Sequence, residues 1–215
     1  MSEFIRLCLW LLVPACLACN HTEKSSSRSV KLPYLGQHEV QPGSTDTAYY
    51  TIPAFVFINQ DSAAISHRQY ERKVYVADFF FTTCPTICPA MSAQMVRLQA
   101  LIERDNLSDR VALLSHTVDP VHDTPSVLKK YASRIGAQTT NWNFVTGEAA
   151  EIYRQAQQGY FLTAMPSDTA AGGFFHSEQF ALVDAERHLR GIYDGTSTKD
   201  VDRLFNDITK LVTSK

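Results

Sequence analysis

The hydrophobic positions of this chain fall into short apolar runs separated by stretches with helical spacing. Val74 to Phe81 is a run of β-branched and aromatic residues with little polar alternation, as in a central strand covered on both faces. Met91, Met95, Leu98 and Ile102 follow at helical spacing, which marks them as core positions of a helix. Val111 to Val118 reads as a second strand, ended by Asp119-Pro120. Thr124 and Pro125 then open a helix as N-cap and first helical residue, and it runs through Leu128, Tyr131 and Ile135 to Gly136. Beyond it the pattern predicts a strand over Trp142 to Val145, a helix from Glu148 to Gln158 closed by Gly159, and a strand over Tyr160 to Ala164. Pro166 to Gly173 reads as a loop. Gln179 to Val183 and Leu189 to Tyr193 form a hairpin around residues 184–187, and a last helix spans Lys199 to Val212. Upstream, Ala54 to Ile58 and Ala63 to Ile65 flank a turn cluster at residues 59–62.

Strands alternating with helices imply crossovers and a mainly parallel sheet; the closing hairpin adds antiparallel strands. The order β-α-β-α, then β-β-α, is that of an α/β thioredoxin-like fold enlarged by two insertions, one of them Ala137 to Met165. This domain is expected over residues 49–215. Residues 19–48 read as a polar tether, with a Ser-rich stretch at 25–29, within which Tyr34 and Leu35 have no assigned place. Residues 1–18 contain Arg6 and then an apolar stretch from Leu7 to Ala18. That stretch is short of the roughly 20 apolar residues of a membrane span and fits the h-region of a secretory signal. It ends in Cys16-Leu17-Ala18-Cys19, which resembles a bacterial lipoprotein processing site with Cys19 as the lipidated residue; Cys16 is a weaker candidate, and an uncleaved anchor helix or a cleaved soluble form are the alternatives. All three place the domain outside the cytoplasm, in a bacterial cell envelope.

Composition narrows the classes. With 45% hydrophobic and 11% aromatic residues the chain can build one large core, and a net charge of −2 without a basic run gives nucleic-acid binding no electrostatic support. Of five cysteines, Cys8, Cys16 and Cys19 belong to the N-terminal region, which leaves Cys84 and Cys88 in the folded body. A disulfide closing so short a loop adds little as a staple, so the pair points to redox or metal chemistry.

Cys84-Pro85-Thr86-Ile87-Cys88-Pro89 sits where a buried strand feeds a helix. Free backbone N–H groups and the helix dipole favour thiolates there. The spacing is Cys-x-x-x-Cys, which puts both sulfurs on one side of a helical turn. His176 follows Gly172-Gly173 and two aromatics, on what reads as a flexible loop. Two thiolates and one imidazole suit Cu(I) or zinc; structural zinc wants four protein ligands, and three soft ligands satisfy Cu(I), so ligand count favours copper. Asp119 and Asp123 could act around such a site, tuning metal or proton, or merely cap a turn. His116 ends the second strand and is an outside candidate; Asp78, within a strand, must be paired if buried and charged.

The run from Val76 to Met91, with Thr82-Thr83-Cys84-Pro85-Thr86-Ile87-Cys88-Pro89 at its heart, resembles the SCO/SenC family of copper chaperones for cytochrome c oxidase. So do Thr117-Val118-Asp119-Pro120, Asp123-Thr124-Pro125, and His176-Ser177 ahead of Phe180-Ala181-Leu182-Val183-Asp184. The resemblance covers about residues 50–212. It implies copper, as Cu(I) or Cu(II), held by Cys84, Cys88 and His176. It also implies a copper-centre subunit of cytochrome c oxidase as partner, besides other extracytoplasmic copper chaperones or thiol-disulfide proteins and the membrane reached through the N-terminal anchor. Two other readings stay open: a thiol-disulfide reductase that uses Cys84 and Cys88 as its redox pair, and a redox or copper sensor.

Overall fold

The computed structural model describes residues 31–40 and 47–213. Its centre is a seven-stranded sheet. Strand β5 (Val74–Phe80) and strand β6 (Val111–Thr117) lie parallel, paired residue for residue from Val74–Val111 to Phe80–Thr117. Every residue of both strands is buried, as their unbroken apolar runs require. Strand β7 (Trp142–Thr146) joins β6 in parallel. The flanks are antiparallel. β3 (Val56–Asn59) pairs with β7 and with β4 (Ala64–Ser66), while β10 (Gln179–Val183) pairs with β5 and β11 (Leu189–Asp194). The order across the sheet is β11-β10-β5-β6-β7-β3-β4. Parallel pairing is thus confined to the three central strands, and strand–helix alternation with a closing hairpin gives the expected thioredoxin-like core.

Helix α1 (Cys88–Arg104) buries Met91, Met95, Leu98 and Ile102 completely. Each such burial stabilises by about 1.5–3 kcal/mol, which holds the helix on the sheet. These methionines are core residues. Helix α2 (Pro125–Ile135) lies beside α1 on the face of β5 that carries Phe80, with the Tyr131 ring 5.1 Å from that of Phe80. Thr124 is its N-cap residue, yet the hydroxyl turns to Ser126 Oγ at 3.2 Å and makes no capping bond to the helix. Gly136 ends the helix in the left-handed region at φ 77°, the conformation glycine supplies at least cost. Helix α4 (Thr198–Thr213) packs along α1, with Arg97 paired to Asp202.

The segment after β7 departs from the pattern. The predicted helix is α3 (Ala149–Arg154) followed by one π-turn, Gln155–Gly159. Gly159 does not end it in a left-handed cap; it lies inside the π-turn, where a Cβ would come within 2.9 Å of the Gln155 amide. Residues 160–163 form no strand, since Phe161 takes φ 56°. The strand is instead β8 (Ala164–Pro166), paired with β9 (Phe174–His176) in a separate two-stranded sheet.

Part of the stretch read as tether packs on the body. Leu35 N–H donates to Leu189 O at 2.8 Å, and the buried Arg190 donates to Leu32 O at 2.6 Å and Pro33 O at 2.9 Å. The Arg190 guanidinium also pairs with Asp184 at 2.6 Å and lies 4.0 Å from the Tyr34 ring centroid. Tyr34 stacks on Tyr49, and β1 (Glu39–Val40) pairs with β2 (Thr47–Ala48). Cys8, Cys16 and Cys19, and with them the signal and lipidation readings, lie outside the described residues. Among the described residues no helix is long and apolar enough to cross a membrane.

Candidate metal centre

β5 ends at Phe80, and the chain turns through Phe81 to Ile87 before α1 begins at Cys88. Pro89 has no N–H, and those of Ala90 and Met91 bond to Ile87 O, so at the start of α1 it is the Cys88 N–H that serves the Cys84 sulfur. Both cysteines are free thiols, Cys88 buried and Cys84 half-buried. The turn is fastened from below by Asp123, which is fully buried. Its carboxylate accepts from Thr82 N–H at 3.0 Å, from Thr82 Oγ1 at 2.5 Å and from Thr117 Oγ1 at 2.5 Å. Asp123 therefore ties the residue two before Cys84 to the end of β6. Asp119 does the turn work instead: its carboxylate accepts from His122 N–H at 3.3 Å.

His176 arrives on β9, a strand and not a flexible loop, because Phe174 to His176 pair with Pro166 to Ala164. Gly172 permits this. At φ 83° a Cβ there would stand 2.7 Å from the Phe81 ring, so only glycine lets the connection pass over that ring. Phe81 then meets His176 edge-on, with centroids 5.7 Å apart. His176 Nδ1 lies 3.1 Å from Ser177 O, an atom that can only accept. Nδ1 therefore carries the proton, and in the neutral ring Nε2 keeps a free lone pair. That Nε2 lies 3.1 Å from Cys88 Sγ, and the Cys84, Cys88 and His176 donor atoms all fall within 4.8 Å of one another. Two sulfurs and an imidazole nitrogen converging at that range suit a soft metal ion.

The two thiols are split electrostatically. Burial alone would raise Cys84, but hydrogen bonds from Cys88 and from the Thr86 and Cys88 N–H groups outweigh it and bring the thiol down to about 6. Burial drives Cys88 well above the usual thiol range, and its role as proton donor to Cys84 adds to this. Cys84 is thus the thiolate of the pair at neutral pH and Cys88 its protonated neighbour.

Asp78, which as a buried strand carboxylate was expected to need a partner, belongs to this environment. It is buried within β5, and burial raises its carboxyl to about 6, against the Ser115 hydroxyl at 2.5 Å and the nearby His176, both of which lower it. Ser115 in turn accepts from Trp142 Nε1 at 2.9 Å. The visible signal was a lone carboxylate in an otherwise apolar strand. His116 is not brought to the metal donors. It is fully buried against the Phe79 ring at 4.7 Å, and burial depresses it to about 3, which keeps it neutral. His188 sits beside Asp184, and His38 stands edge-on to Tyr49.

Known proteins with this arrangement are recognisable. A model of the SCO1/SenC family matches residues 43–213. The SCO1 protein homolog of Bacillus subtilis (strain 168) is 31% identical over 170 residues, 79% of this chain and 87% of that protein. A SCO1/SenC family lipoprotein from Bacillus anthracis str. Ames superposes with a TM-score of 0.70 at 30% identity, over 76% of this chain and 95% of that one. BsSco, a Sco-family cytochrome c oxidase assembly protein in which a disulfide switch was identified, superposes with a TM-score of 0.69 at 32% identity, over 77% and 95% of the two chains. The match spans the cysteine turn, the three central strands and the His176 hairpin, and the chain belongs to the SCO1/SenC family.

Proposed function

We propose that this domain is an extracytoplasmic copper carrier that holds the ion on Cys84, Cys88 and His176 and delivers it to the copper centre of a cytochrome c oxidase subunit. The observation that carries the reading is the convergence of two thiols and one unprotonated imidazole nitrogen within 4.8 Å. Three soft donors leave a Cu(I) ion satisfied yet open to a fourth, so a partner thiolate can displace the donors one at a time. Cys84, half-buried and ionised, is the first sulfur such a partner meets. A Cys19 lipid anchor would keep the domain at the membrane that houses the oxidase, in keeping with the lipoprotein nature of the Bacillus anthracis relative. The test is direct transfer: copper-loaded protein is mixed with the metal-free, reduced soluble domain of the oxidase subunit. Copper is expected to move to the subunit; copper retained on the carrier at equilibrium would overturn the reading.

A second activity is favoured by the split thiols. A half-buried thiolate at Cys84 and a buried, protonated Cys88 form an attacking and resolving pair for thiol-disulfide exchange. It would keep the target's cysteines reduced before loading. Metal and disulfide are exclusive states of the same pair, and exchange that survives His176→Ala separates the second role from the first.

A further inference from the structure

Cys84 stands on a ridge between two clefts. The first contains His176, Phe174, Ala170 and Thr86. The second is a groove of about 500 Å³ between α1 and α2, reached by both Cys84 and Cys88, and His176 does not line it. That volume accepts a short piece of a ligand, not a folded domain. Its walls are mostly apolar, with Phe81, Ala93, Val96, Tyr131 and Ile135, and Arg134 is the one cationic side chain among those that line it. The Arg134 guanidinium lies 5.0 Å from the Tyr131 ring centroid and makes one long bond, 3.4 Å, to Thr82 O. Among the described residues no carboxylate lies within ion-pair distance of it. The first turn of α1 opens into the same groove through Pro89 and Ser92, so the helix dipole adds positive potential beside the sulfurs.

We propose that this groove docks an extended segment of the partner protein that carries the reacting cysteine together with an acidic side chain. The carboxylate meets Arg134, and apolar neighbours meet Phe81, Val96 and Ile135. A thiol entering this way reaches Cys84 through a cleft that His176 does not line, so exchange at the sulfur does not require the hairpin to move first. The proposal rests on the reading of Cys84 and Cys88 as an exchange site and adds the chemistry of what that site recognises.

Small disulfides test it on the reduced protein. The Cys84 thiolate attacks the S–S bond of the probe, forming a mixed disulfide and releasing one probe thiolate. Cys88 then loses its proton to solvent and displaces the second probe thiolate. The products are a Cys84–Cys88 disulfide and two probe thiols, and two electrons have passed from protein to probe. Dithiodipropionate and cystamine match in size and differ in charge; dithiodipyridine and dithiodiethanol are both neutral and differ in apolar bulk. Rates are compared as ratios, so that the intrinsic reactivity of each probe cancels. Arg134→Glu is expected to lower the dithiodipropionate-to-cystamine ratio by about fivefold at low salt, less at high salt. Ala93→Trp, which fills the groove, is expected to lower the dithiodipyridine-to-dithiodiethanol ratio by a similar factor. Arg134 and Ala93 are exposed, so both variants should fold. Either ratio staying at its wild-type value overturns the proposal. That failure would leave copper binding intact in the wild type and both variants. Failure of the underlying exchange reading would instead leave wild-type protein that reacts with none of the probes.

Discussion

The cysteine turn and the His176 hairpin deliver donors to one point, but they are built in opposite ways. The turn issues from β5, seven residues all buried, and is clamped by the three hydrogen bonds of the buried Asp123. The hairpin is two strands of three residues each, outside the main sheet. It is held by a few contacts: Ser177 N–H to Thr163 O, the Gln157 amide to Ala164 O, and Phe174 against Phe81. Phe175 and Met165 on it are exposed. Sparse apolar burial gives a low free energy of local opening. The difference teaches that both sulfurs are placed by a turn fixed to the core, which ionises Cys84, while the imidazole rides on a unit that can open without unfolding the domain.

Substitutions can break this comparison on either side. The largest effect is expected at Asp123→Ala, which leaves the buried Thr117 hydroxyl and the two half-buried Thr82 donors without an acceptor. A loss of about 3 kcal/mol in urea unfolding is expected, together with slower alkylation of Cys84. A loss below about 1 kcal/mol would mean that the turn is not clamped as described. Next comes Asp78→Asn. A carboxyl at about 6 in the folded state binds its proton more tightly folded than unfolded, so its cost is absent below about pH 4, grows as pH rises to 6 and is then constant. The variant is expected to be more stable on the order of 2 kcal/mol at pH 7.5, with no difference near pH 4. Equal stability at both pH values would remove Asp78 from the account.

How far this contrast was legible in the sequence differs for its two halves. The unbroken run of β5, the helical spacing of Met91, Met95, Leu98 and Ile102, and the cysteines at a strand-to-helix junction all follow from local pattern, and the structure keeps them. The hairpin was not legible. One residue in αL at Phe161 and one π-turn at Gln155–Gly159 shift the strand from 160–164 to Ala164–Pro166, and neither has a composition signature. The packing of residues 32–35 was hidden for another reason: it depends on Arg190, distant in sequence. Asp123 could be read as a turn residue, but its hold on Thr82 needs the parallel pairing of β5 and β6.

Smaller effects sharpen the comparison. With Cys84 at about 6, its alkylation rate in the reduced, metal-free protein is expected to rise about tenfold between pH 5 and 7 and then level off. An ordinary thiol keeps rising past pH 8, and that profile would show that the turn does not ionise Cys84. Gly172→Ala should cost about 1 kcal/mol, from φ 83° and the contact with Phe81. It should weaken copper binding by about fivefold and leave the Cys84 alkylation profile unchanged, because it disturbs the hairpin alone.

The central claim is that the hairpin's imidazole completes a three-donor site with the two sulfurs of the turn. Titration of the reduced protein with Cu(I) tests it, with wild type, Cys84→Ser, Cys88→Ser and His176→Ala side by side. One tightly bound copper per chain is expected for the wild type, none for either serine variant, and affinity at least about tenfold weaker for His176→Ala, with thiol exchange retained. Wild-type copper affinity in His176→Ala would contradict the account.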